Sequence, residues 1–331
     1  MKKKRKLKVL FILEIIILLL LIGIAVLITK VDAIENHELT DVVFNDFQDE
    51  NIDDYTNIAI FGVDSRANDL QKNTRTDSII IASIHNKTKK VKLVSIYRDT
   101  YVHIEDHGYT KINHAYAYGG PDLAVNTINE NFDMNIQDFV TVNFSALTNV
   151  IDELGGITLN ITEDELEYVN AYTRDVAKIN NMKFKYIKKP GKQKVSGVQA
   201  TGYCRVRYTA GGDYTRAKRQ RTVLKAILKK AKKSNPIALY NVMNVMLPQI
   251  YTSLSTSDII SLMLPLFSYK VQGSKGFPYE LEGAKRNGAF VNLPITLSSN
   301  VQQLHKKLFK TKGFTPSAAV EEYSAAIAAS G

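Results

Sequence analysis

Strand-length runs of apolar and β-branched residues alternate along the chain with segments of helical periodicity. Three runs are continuously apolar: NIAIFGV at 57–63, DSIIIASIH at 77–85 and KVKLVSIY at 90–97. Such continuity predicts central strands that are covered on both faces. FVTVNF at 139–144 and ITLNI at 157–161 predict two more strands.

Helical patterns lie between and after these strands. Apolar spacing predicts a short helix over 123–132, and Ser145 is a candidate N-cap for the helix ALTNVIDEL, which ends at Gly155 and Gly156. The later segments predicted to be mainly helical are 214–233, 236–247, 257–267 and 298–309. Strands interleaved with helices predict an α/β layered domain.

The N-terminus differs from this pattern. Six Lys or Arg within residues 2–8 precede an apolar run at 9–29 in which Glu14 is the only charge. At about 1.5 Å per residue this run can span roughly 30 Å of hydrocarbon. It is too long for the apolar core of a cleaved secretory signal, which favours an uncleaved transmembrane anchor. Because basic residues flank its start, residues 1–8 are predicted to be cytoplasmic and the body to lie outside the cell membrane.

The chain then divides by composition into further parts. Residues 30–54, rich in Asp, Glu and Asn, predict a short stalk. The folded body is predicted over 55–315, and the Ala- and Ser-rich segment 316–331 is predicted to be a tail or a frayed helix.

The net charge of +10 suggests nucleic-acid binding until it is divided along the chain. Residues 1–30 hold seven Lys or Arg and one Glu, which leaves only +4 for the exported part. That mild excess fits an anionic surface or substrate, and the predicted location argues against a nucleic-acid partner.

The sequence lacks the motifs that are typical of several common chemistries. Cys204 is the single cysteine, so no intramolecular disulfide can form. The six His show no metal-binding spacing, and there is neither a GxSxG elbow nor a P-loop. A serine hydrolase and a P-loop kinase therefore have no support.

Charged residues stand at the ends of the three central strands. Asp64 follows the first, Asp77 opens the second and Arg98 follows the third. Two carboxylates at adjacent strand ends can bind a hard cation such as Mg²⁺ together with phosphate oxygens. Alternatively, each Asp caps a turn.

The densest cluster of charge is YCRVRYTAGGDYTRAKRQR, at 203–221. Arg205 and Arg207 share a face if extended, and Arg216 and Gln220 share a helix face, whereas Arg219 points elsewhere. Converging guanidiniums favour an anion between them, and phosphate suits their planar geometry. The lysines that follow are interpreted as a solvated helix face: Lys225, Lys229, Lys230, Lys232 and Lys233.

Taken in order, these segments resemble the LytR-CpsA-Psr family of bacterial envelope proteins over roughly 57–221. The matching stretches are FGVDSR, RTDSIIIASI, VSIYRDTYV, KINHAYAYGG, VNFSALTNVIDELGGI and YCRVRYTAGGDYTRAKRQR. One departure is Tyr97, which stands where the family usually has proline before Arg-Asp-Thr.

The resemblance implies an α/β/α sandwich with a mixed central sheet that binds a polyprenyl pyrophosphate-linked glycopolymer. The implied reaction transfers the polymer, such as teichoic acid or capsule, to a peptidoglycan hydroxyl. Carried over by position, the metal ligands for Mg²⁺ or Mn²⁺ are Asp64 and Asp77. The implied pyrophosphate-binding residues are Arg75, Arg98, Arg205, Arg207, Arg216 and Gln220.

Within that reaction, Arg98 is the candidate for contacting the reacting phosphate. Asp99 is expected to orient Arg98 or to form a structural pair, and Asp213 is a candidate base for the acceptor hydroxyl. Two rival hypotheses stay open. One is a pyrophosphatase that hydrolyses the lipid-linked substrate, and the other is a non-enzymatic envelope protein that binds lipid or regulates transcription.

Overall fold

The computed structural model describes residues 35–63, 70–71 and 74–330. The predicted cytoplasmic segment 1–8 and anchor 9–29 lie outside these residues, as does Asp64. No helix within the described ranges combines the length and the hydropathy needed to cross a bilayer.

A mixed β-sheet forms the centre of the molecule. Its strand order is β1-β10-β7-β2-β3-β4-β11. The strands are β1 (Glu35–Asn36), β2 (Tyr55–Val63), β3 (Thr76–His85), β4 (Lys90–Ile96), β7 (Asp138–Asn143), β10 (Ile250–Thr252) and β11 (Lys270–Phe277). β3 is antiparallel to both β2 and β4, whereas β7 pairs with β2 and β11 pairs with β4 in parallel. The five predicted strands are confirmed, four of them within this sheet and ITLNI outside it.

Three two-stranded sheets lie outside the central one. They are β5 (Tyr101–Ile104) with β6 (Gly108–Lys111), β8 (Ile157–Ile161) with β9 (Gly191–Val195), and β12 (Leu281–Arg286) with β13 (Ala289–Pro294). The strands of 270–294 have no counterpart among the sequence predictions, because polar and glycine residues interrupt their apolar pattern.

Helices surround these sheets. They are α1 (Asn113–Phe132), α2 (Phe144–Glu153), α3 (Glu163–Ile179), α4 (Gly197–Arg205), α5 (Gly212–Ala231), α6 (Pro236–Met246), α7 (Thr256–Met263), α8 (Leu297–Leu308) and α9 (Ala318–Ala329). Asn143, not Ser145, caps α2, because its side-chain oxygen accepts a hydrogen bond from the Ala146 amide. The short helix predicted over 123–132 is the second part of α1, which is kinked at Gly119 and Gly120.

Both faces of the central sheet are covered by helices. On one face, Phe61, Ile81 and Phe139 belong to a buried cluster that also contains residues of α1, α8 and α9. On the other face, Ile80 and Leu93 pack with α5, and Ile58 packs with α6 and α7. The result is a three-layer α/β/α arrangement, and apolar burial on both sides explains why the central strands are continuously hydrophobic.

A smaller lobe packs beside the sheet and carries part of the site. Its core joins β8 and β9 to α2, α3 and α4 through Ile151, Leu159, Val169 and Ala200. α4 starts with a capping box at Ser196, whose side chain accepts a hydrogen bond from the amide nitrogen three residues later.

Segments 35–54 and 316–330 pack against the body more closely than a stalk and a tail would, and the second contains a helix, which was one of the two predicted alternatives. Residues 35–54 are not a free stalk, since β1 pairs with β10 and the Thr40 amide donates to Asp122. Segment 316–331 is not a loose tail over its described part, because α9 buries Val320 and Ile327 in the main core. A strand pairing and hydrogen bonds to distant residues hold the first segment, and buried apolar side chains hold α9. Local periodicity predicts neither kind of contact.

Candidate functional site

The site begins where two neighbouring strands present opposite charges at one edge of the sheet. β3 and β4 are antiparallel, with Ile79 opposite Ile96, so the start of β3 and the end of β4 coincide. Asp77 is the second residue of β3, and Arg98 follows β4 by two residues. An Arg98 Nη1 donor lies 2.5 Å from Asp77 Oδ1.

The N-terminal turn of α5 adds a second carboxylate and a second guanidinium. Arg216 Nη2 donates to the Asp77 carbonyl at 3.1 Å and lies 3.0 Å from Asp213 Oδ1. Arg98 Nε lies 3.7 Å from the same Asp213 oxygen. Asp213 therefore lies between two arginines from different elements.

The turn between α4 and α5 contributes Arg207. Its Nη2 donates to Asp77 Oδ1 at 3.3 Å, so three arginines surround one carboxylate. Gly211 and Gly212 have φ of 83° and 47°, in the left-handed region that favours glycine. This conformation reverses the chain so that α5 starts beside the site.

A polar cavity of about 200 Å³ opens among these residues. Its lining comprises Asp77, Phe144, Tyr172, Cys204, Arg205, Arg207, Arg216 and Gln220. The Arg205 guanidinium lies over the Phe144 ring at 5.1 Å and near the Tyr172 ring at 5.9 Å from the ring centres. The structure thus brings together Arg205, Arg207, Arg216 and Gln220, as the sequence predicted.

A second, apolar cavity of about 60 Å³ adjoins the polar one. It lies between the sheet and helices α2 and α5, and its walls include Ile60, Ile80, Leu147, Val223 and Leu224. Phe144, Cys204 and Gln220 line both cavities. The site therefore joins a cationic end to a hydrocarbon-lined end.

Arg216 is the most deeply buried charge of the site, with 3% of the residue exposed. Burial lowers the pKa of its guanidinium to about 10, and the nearby charges of Arg207 and Arg98 act in the same direction. Its Nε and Nη1 atoms find no hydrogen-bond acceptor among the described residues. A buried guanidinium with unpaired donors is costly, which favours an anionic ligand at this place.

The pKa of the Arg98 guanidinium shifts in the opposite direction. Burial acts to lower the pKa of its guanidinium, but the charges of Asp213, Asp77 and Asp99 outweigh it and raise the pKa above its ordinary value. Its Nε makes no hydrogen bond within the described part of the chain. Arg98 is thus a fixed cation with a free donor.

Asp99 lies between Arg98 and Lys111. Its Oδ2 lies 3.7 Å from Arg98 Nε, and its Oδ1 accepts from Lys111 Nζ at 3.0 Å. Lys111 was not among the predicted site residues, although it opens the stretch KINHAYAYGG. Aromatic Phe144 and Tyr172 were also missed, because only the fold brings them against Arg205.

Three other residues that the sequence brought into question are Arg75, Arg219 and Cys204. Arg75 is exposed just before β3 and does not line the polar cavity, although its charge helps burial to lower the pKa of His114. Arg219 faces away from the site, as predicted, and its Nε donates to buried Glu165 at 2.8 Å. Burial raises the pKa of Cys204 to about 12, which removes it as a nucleophile at neutral pH.

Of the two predicted metal ligands, only Asp77 belongs to the described residues. Those residues contain no cluster of three or more His, Cys, Asp or Glu side chains that could hold a metal ion. A carboxylate at the mouth of a polar cavity is nevertheless the oxygen donor that Mg²⁺ prefers, and Mg²⁺ commonly takes only one or two carboxylates. Asp77 fits that role.

Comparisons with known proteins place the chain among proteins of one family. The LytR_cpsA_psr family model matches residues 24–307. The polyisoprenyl-teichoic acid–peptidoglycan teichoic acid transferase TagT of Bacillus subtilis (strain 168) is 32% identical over 236 residues, which cover 70% of this chain and 70% of TagT.

Two solved structures share the fold. One, of TagT bound to LIIa-WTA, has a TM-score of 0.64 at 26% identity and covers 82% of this chain and 98% of that chain. The other, of the LytR-CPS2A-psr family protein YwtF (TagT) with bound octaprenyl pyrophosphate lipid, has a TM-score of 0.59 at 26% identity and covers 82% and 95%.

Proposed function

Because the chain belongs to the LytR_cpsA_psr family, whose model matches residues 24–307, we propose that it is a glycopolymer transferase. The donor is a teichoic acid or related wall polymer on a polyprenyl pyrophosphate carrier, and the acceptor is a peptidoglycan hydroxyl. The names of its relative TagT and of the lipid-bound neighbour support this assignment.

The observation that carries the proposal is the junction of the two cavities. A polyprenyl pyrophosphate has an anionic group attached to a long hydrocarbon chain. The cationic cavity around Arg205, Arg207 and Arg216 suits the first, and the adjoining cavity between Ile80 and Leu224 suits the second. A soluble sugar nucleotide has no hydrocarbon chain that would fill the apolar cavity.

The reaction transfers a phosphoryl group. The acceptor hydroxyl oxygen bonds to the polymer-side phosphorus, the bond from that phosphorus to the bridging oxygen breaks, and polyprenyl phosphate leaves. Charge builds on the bridging oxygen and the equatorial oxygens. Arg98, Arg207 and Arg216 neutralise that charge through donors that are fixed before the reaction, so little reorganisation is needed.

The hydroxyl proton needs an acceptor near the attacking oxygen. Asp213 is our candidate because it lies in the site between Arg98 and Arg216. Asp99 positions Arg98 and is itself held by Lys111. Arg75 is assigned to the substrate's outer phosphate oxygens, which its exposed position just before β3 permits.

We further propose that Asp64 and Asp77 hold Mg²⁺ or Mn²⁺. Such an ion supplies a Lewis acid that draws charge from the pyrophosphate oxygens. Bound phosphates would take over the arginine donors that now face Asp77, which would leave its carboxylate to hold the ion. Location in the cell membrane with an external body follows from the sequence prediction for 1–29 and is part of the same proposal.

Transfer by purified protein tests the function. The reaction combines a lipid pyrophosphate oligosaccharide, a peptidoglycan acceptor and Mg²⁺. Arg98→Ala should lower the transfer rate by about 10² to 10³, as for loss of one fixed donor to a developing charge. Arg174→Ala, which removes an exposed arginine of α3, is the matched control and should leave the rate unchanged.

Two further arms separate the alternatives. Chelation of the divalent ion should stop transfer, and Mg²⁺ should restore it. Omitting the acceptor should also stop release of polyprenyl phosphate. Equal release without acceptor would instead identify a pyrophosphatase, and affinity for the lipid with no turnover would identify a binding or regulatory protein.

A further inference from the structure

The outer helical layer carries exposed apolar side chains that the site does not explain. Ile237 at the start of α6 is 74% exposed, and Leu264 and Phe267 after α7 are 75% and 61% exposed. In the described chain, α6 buries only Met243 although its sequence PIALYNVMNVM is largely apolar. Soluble surfaces seldom gather such side chains without a use for them.

Contacts between the segments place these residues at one end of the layer. Lys232, just after α5, donates through Nζ to the Tyr269 carbonyl at 2.7 Å. Tyr269 in turn donates its hydroxyl to the Leu262 carbonyl at 2.8 Å. The end of α5, the start of α6 and the segment after α7 are therefore neighbours.

The same end is strongly basic. Lys225, Lys229, Lys230, Lys232 and Lys233 lie on the last turns of α5 and just beyond it. The sequence from Tyr214 to Ser257 contains no Asp or Glu, and neither does the sequence from 259 to 279. Lysines grouped around exposed apolar residues complement the acidic headgroups and acyl chains of a membrane surface.

Helix α5 connects this end to the reaction site. Its first turns hold Arg216 and Gln220, and Lys229 lies 13 residues after Arg216, or about 20 Å along the axis. Between them, Val223 and Leu224 line the apolar cavity, and Leu228 packs in the same cluster as Leu266. A row of apolar side chains thus runs along α5 from the phosphate-binding end to the basic end.

We infer that Ile237, Leu264 and Phe267, with the lysines at the end of α5, form a surface that docks on an anionic lipid bilayer. We call it the docking surface. This inference rests on the proposed function in one respect: the polyprenyl chain of the carrier would leave the bilayer at this surface and follow α5 to the site. The pyrophosphate would then be held away from the headgroups, toward the cell wall.

Fluorescence quenching in vesicles tests the docking surface directly. The chain contains no Trp, so Phe267→Trp introduces a single reporter. The full chain is reconstituted into vesicles of phosphatidylglycerol and phosphatidylcholine with brominated acyl chains, which quench Trp in contact with hydrocarbon. The control is Phe290→Trp, because Phe290 is 55% exposed on β13, whose Asn292 amide donates to the Asp99 carbonyl at the site end.

The Trp reporter at position 267 should be quenched several-fold more strongly than the reporter at position 290. Replacing Lys229, Lys230 and Lys233 by Gln, or omitting phosphatidylglycerol, should reduce that difference. Equal quenching of the two reporters would overturn the inference. A surface that is covered by a protein or by a second copy of the chain, and not by lipid, would give this result. No substrate is present, so the result does not depend on whether the chain is a transferase.

A kinetic arm links the surface to the reaction. Ile237→Ser with Leu264→Ser should slow transfer from a long-chain carrier in vesicles by about tenfold, the equivalent of partly losing the burial of two aliphatic side chains. Transfer from a short-chain, water-soluble carrier should be unchanged. If both carriers are slowed equally, the surface stabilises the fold and does not dock. If neither carrier reacts with the parent protein, the proposed function fails while the quenching result stands.

Discussion

At the scale of single residues, two arginines with similar sequence contexts have different roles. Arg216 and Arg219 lie three positions apart on α5 and are both almost fully buried. Arg219 is satisfied by Glu165, by the Val206 carbonyl at 3.0 Å and by Thr209 at 2.7 Å. Arg216 keeps donors unpaired within the described chain. Partner geometry, not burial, therefore separates the ligand-binding arginine from the structural one.

The same substitution at both positions should separate the structural role from the ligand-binding role. Arg219→Met leaves buried Glu165 without its cation, so unfolding free energy should fall by about 3 to 5 kcal/mol. Arg216→Met removes a cation that is costly to bury, so stability should change little while the transfer rate falls by about 10² or more. Urea unfolding and the transfer assay measure the two effects. Similar profiles for the two variants would contradict this assignment.

Cys204 offers a test of how completely the cavity wall is sealed from water. Its raised pKa of about 12 means that the neutral thiol is favoured in the folded protein. The reactive thiolate therefore appears only as pH rises toward 12, and at pH 8 its fraction should be about a thousandfold below that of an ordinary cysteine. Alkylation should be slow in the native protein and fast in urea. Rapid native alkylation at pH 8 would show that the wall opens.

At the scale of elements, the site depends on how closely α2 and α4 approach. A Cβ at Gly197, the first residue of α4, would lie 2.0 Å from the Thr148 carbonyl oxygen of α2. The two helices are also joined by a hydrogen bond between the Thr148 and Thr201 hydroxyls at 2.8 Å. α4 ends in Cys204 and Arg205, so this contact positions one wall of the polar cavity.

Gly197→Ala should therefore affect both stability and activity. Separating α2 from α4 should cost about 1 to 3 kcal/mol, as overpacking does elsewhere, and should displace Arg205 enough to lower transfer. Gly273→Ala is the control, because its Cβ would meet only the Lys92 side chain at an ordinary 3.4 Å. Thermal unfolding and transfer rates compare the variants. A harmless Gly197→Ala would mean that the contact does not position the site.

At the scale of the whole molecule, residues near both termini complete the main core. In the N-terminal segment, Asp49 accepts a hydrogen bond from Thr311 and lies 2.6 Å from Nδ1 of fully buried His305. At the other end, Ser317 donates its amide and its hydroxyl to Asp133, at 2.8 and 2.7 Å. These buried polar contacts join segments more than 180 residues apart. The segments around Asp49 and Ser317 therefore belong to the folded body.

Truncation after Ser317, which keeps the hydrogen bonds of Ser317 to Asp133, tests the contribution of α9. It removes Val320 and Ile327, which are 0% and 2% exposed, so unfolding free energy should fall by roughly 3 to 6 kcal/mol at about 1.5 to 3 kcal/mol for each buried side chain. Denaturant unfolding with far-UV circular dichroism measures the loss. The double change Glu321→Ala and Glu322→Ala, which keeps the apolar contacts, should lose far less. An unaffected truncation would mean that α9 contributes nothing to the core.

Local pattern alone determined much of this protein. Continuous apolar runs predicted β2, β3, β4 and β7, because strands buried on both faces leave few polar positions. The ordered segments around Asp77, Arg98 and Arg216 carried the resemblance to the family. Spacing placed charged residues at strand ends and on one helix face, and the structure brings these three side chains together. After division of the +10 total, the mild positive charge of the body fitted an anionic surface or substrate, and the predicted location argued against a nucleic-acid partner.

Tertiary structure decided what depends on distant contacts. It paired Asp99 with Lys111, brought Phe144 and Tyr172 against Arg205, and separated Arg216 from Arg219 by their partners. It also packed residues 35–54 and 318–329 into the body, and it placed α5 between the site and the surface that we propose docks on the bilayer. Periodicity reports only which face of an element is apolar. Which partner covers that face, and which charge meets which, follows from packing between elements far apart in the chain.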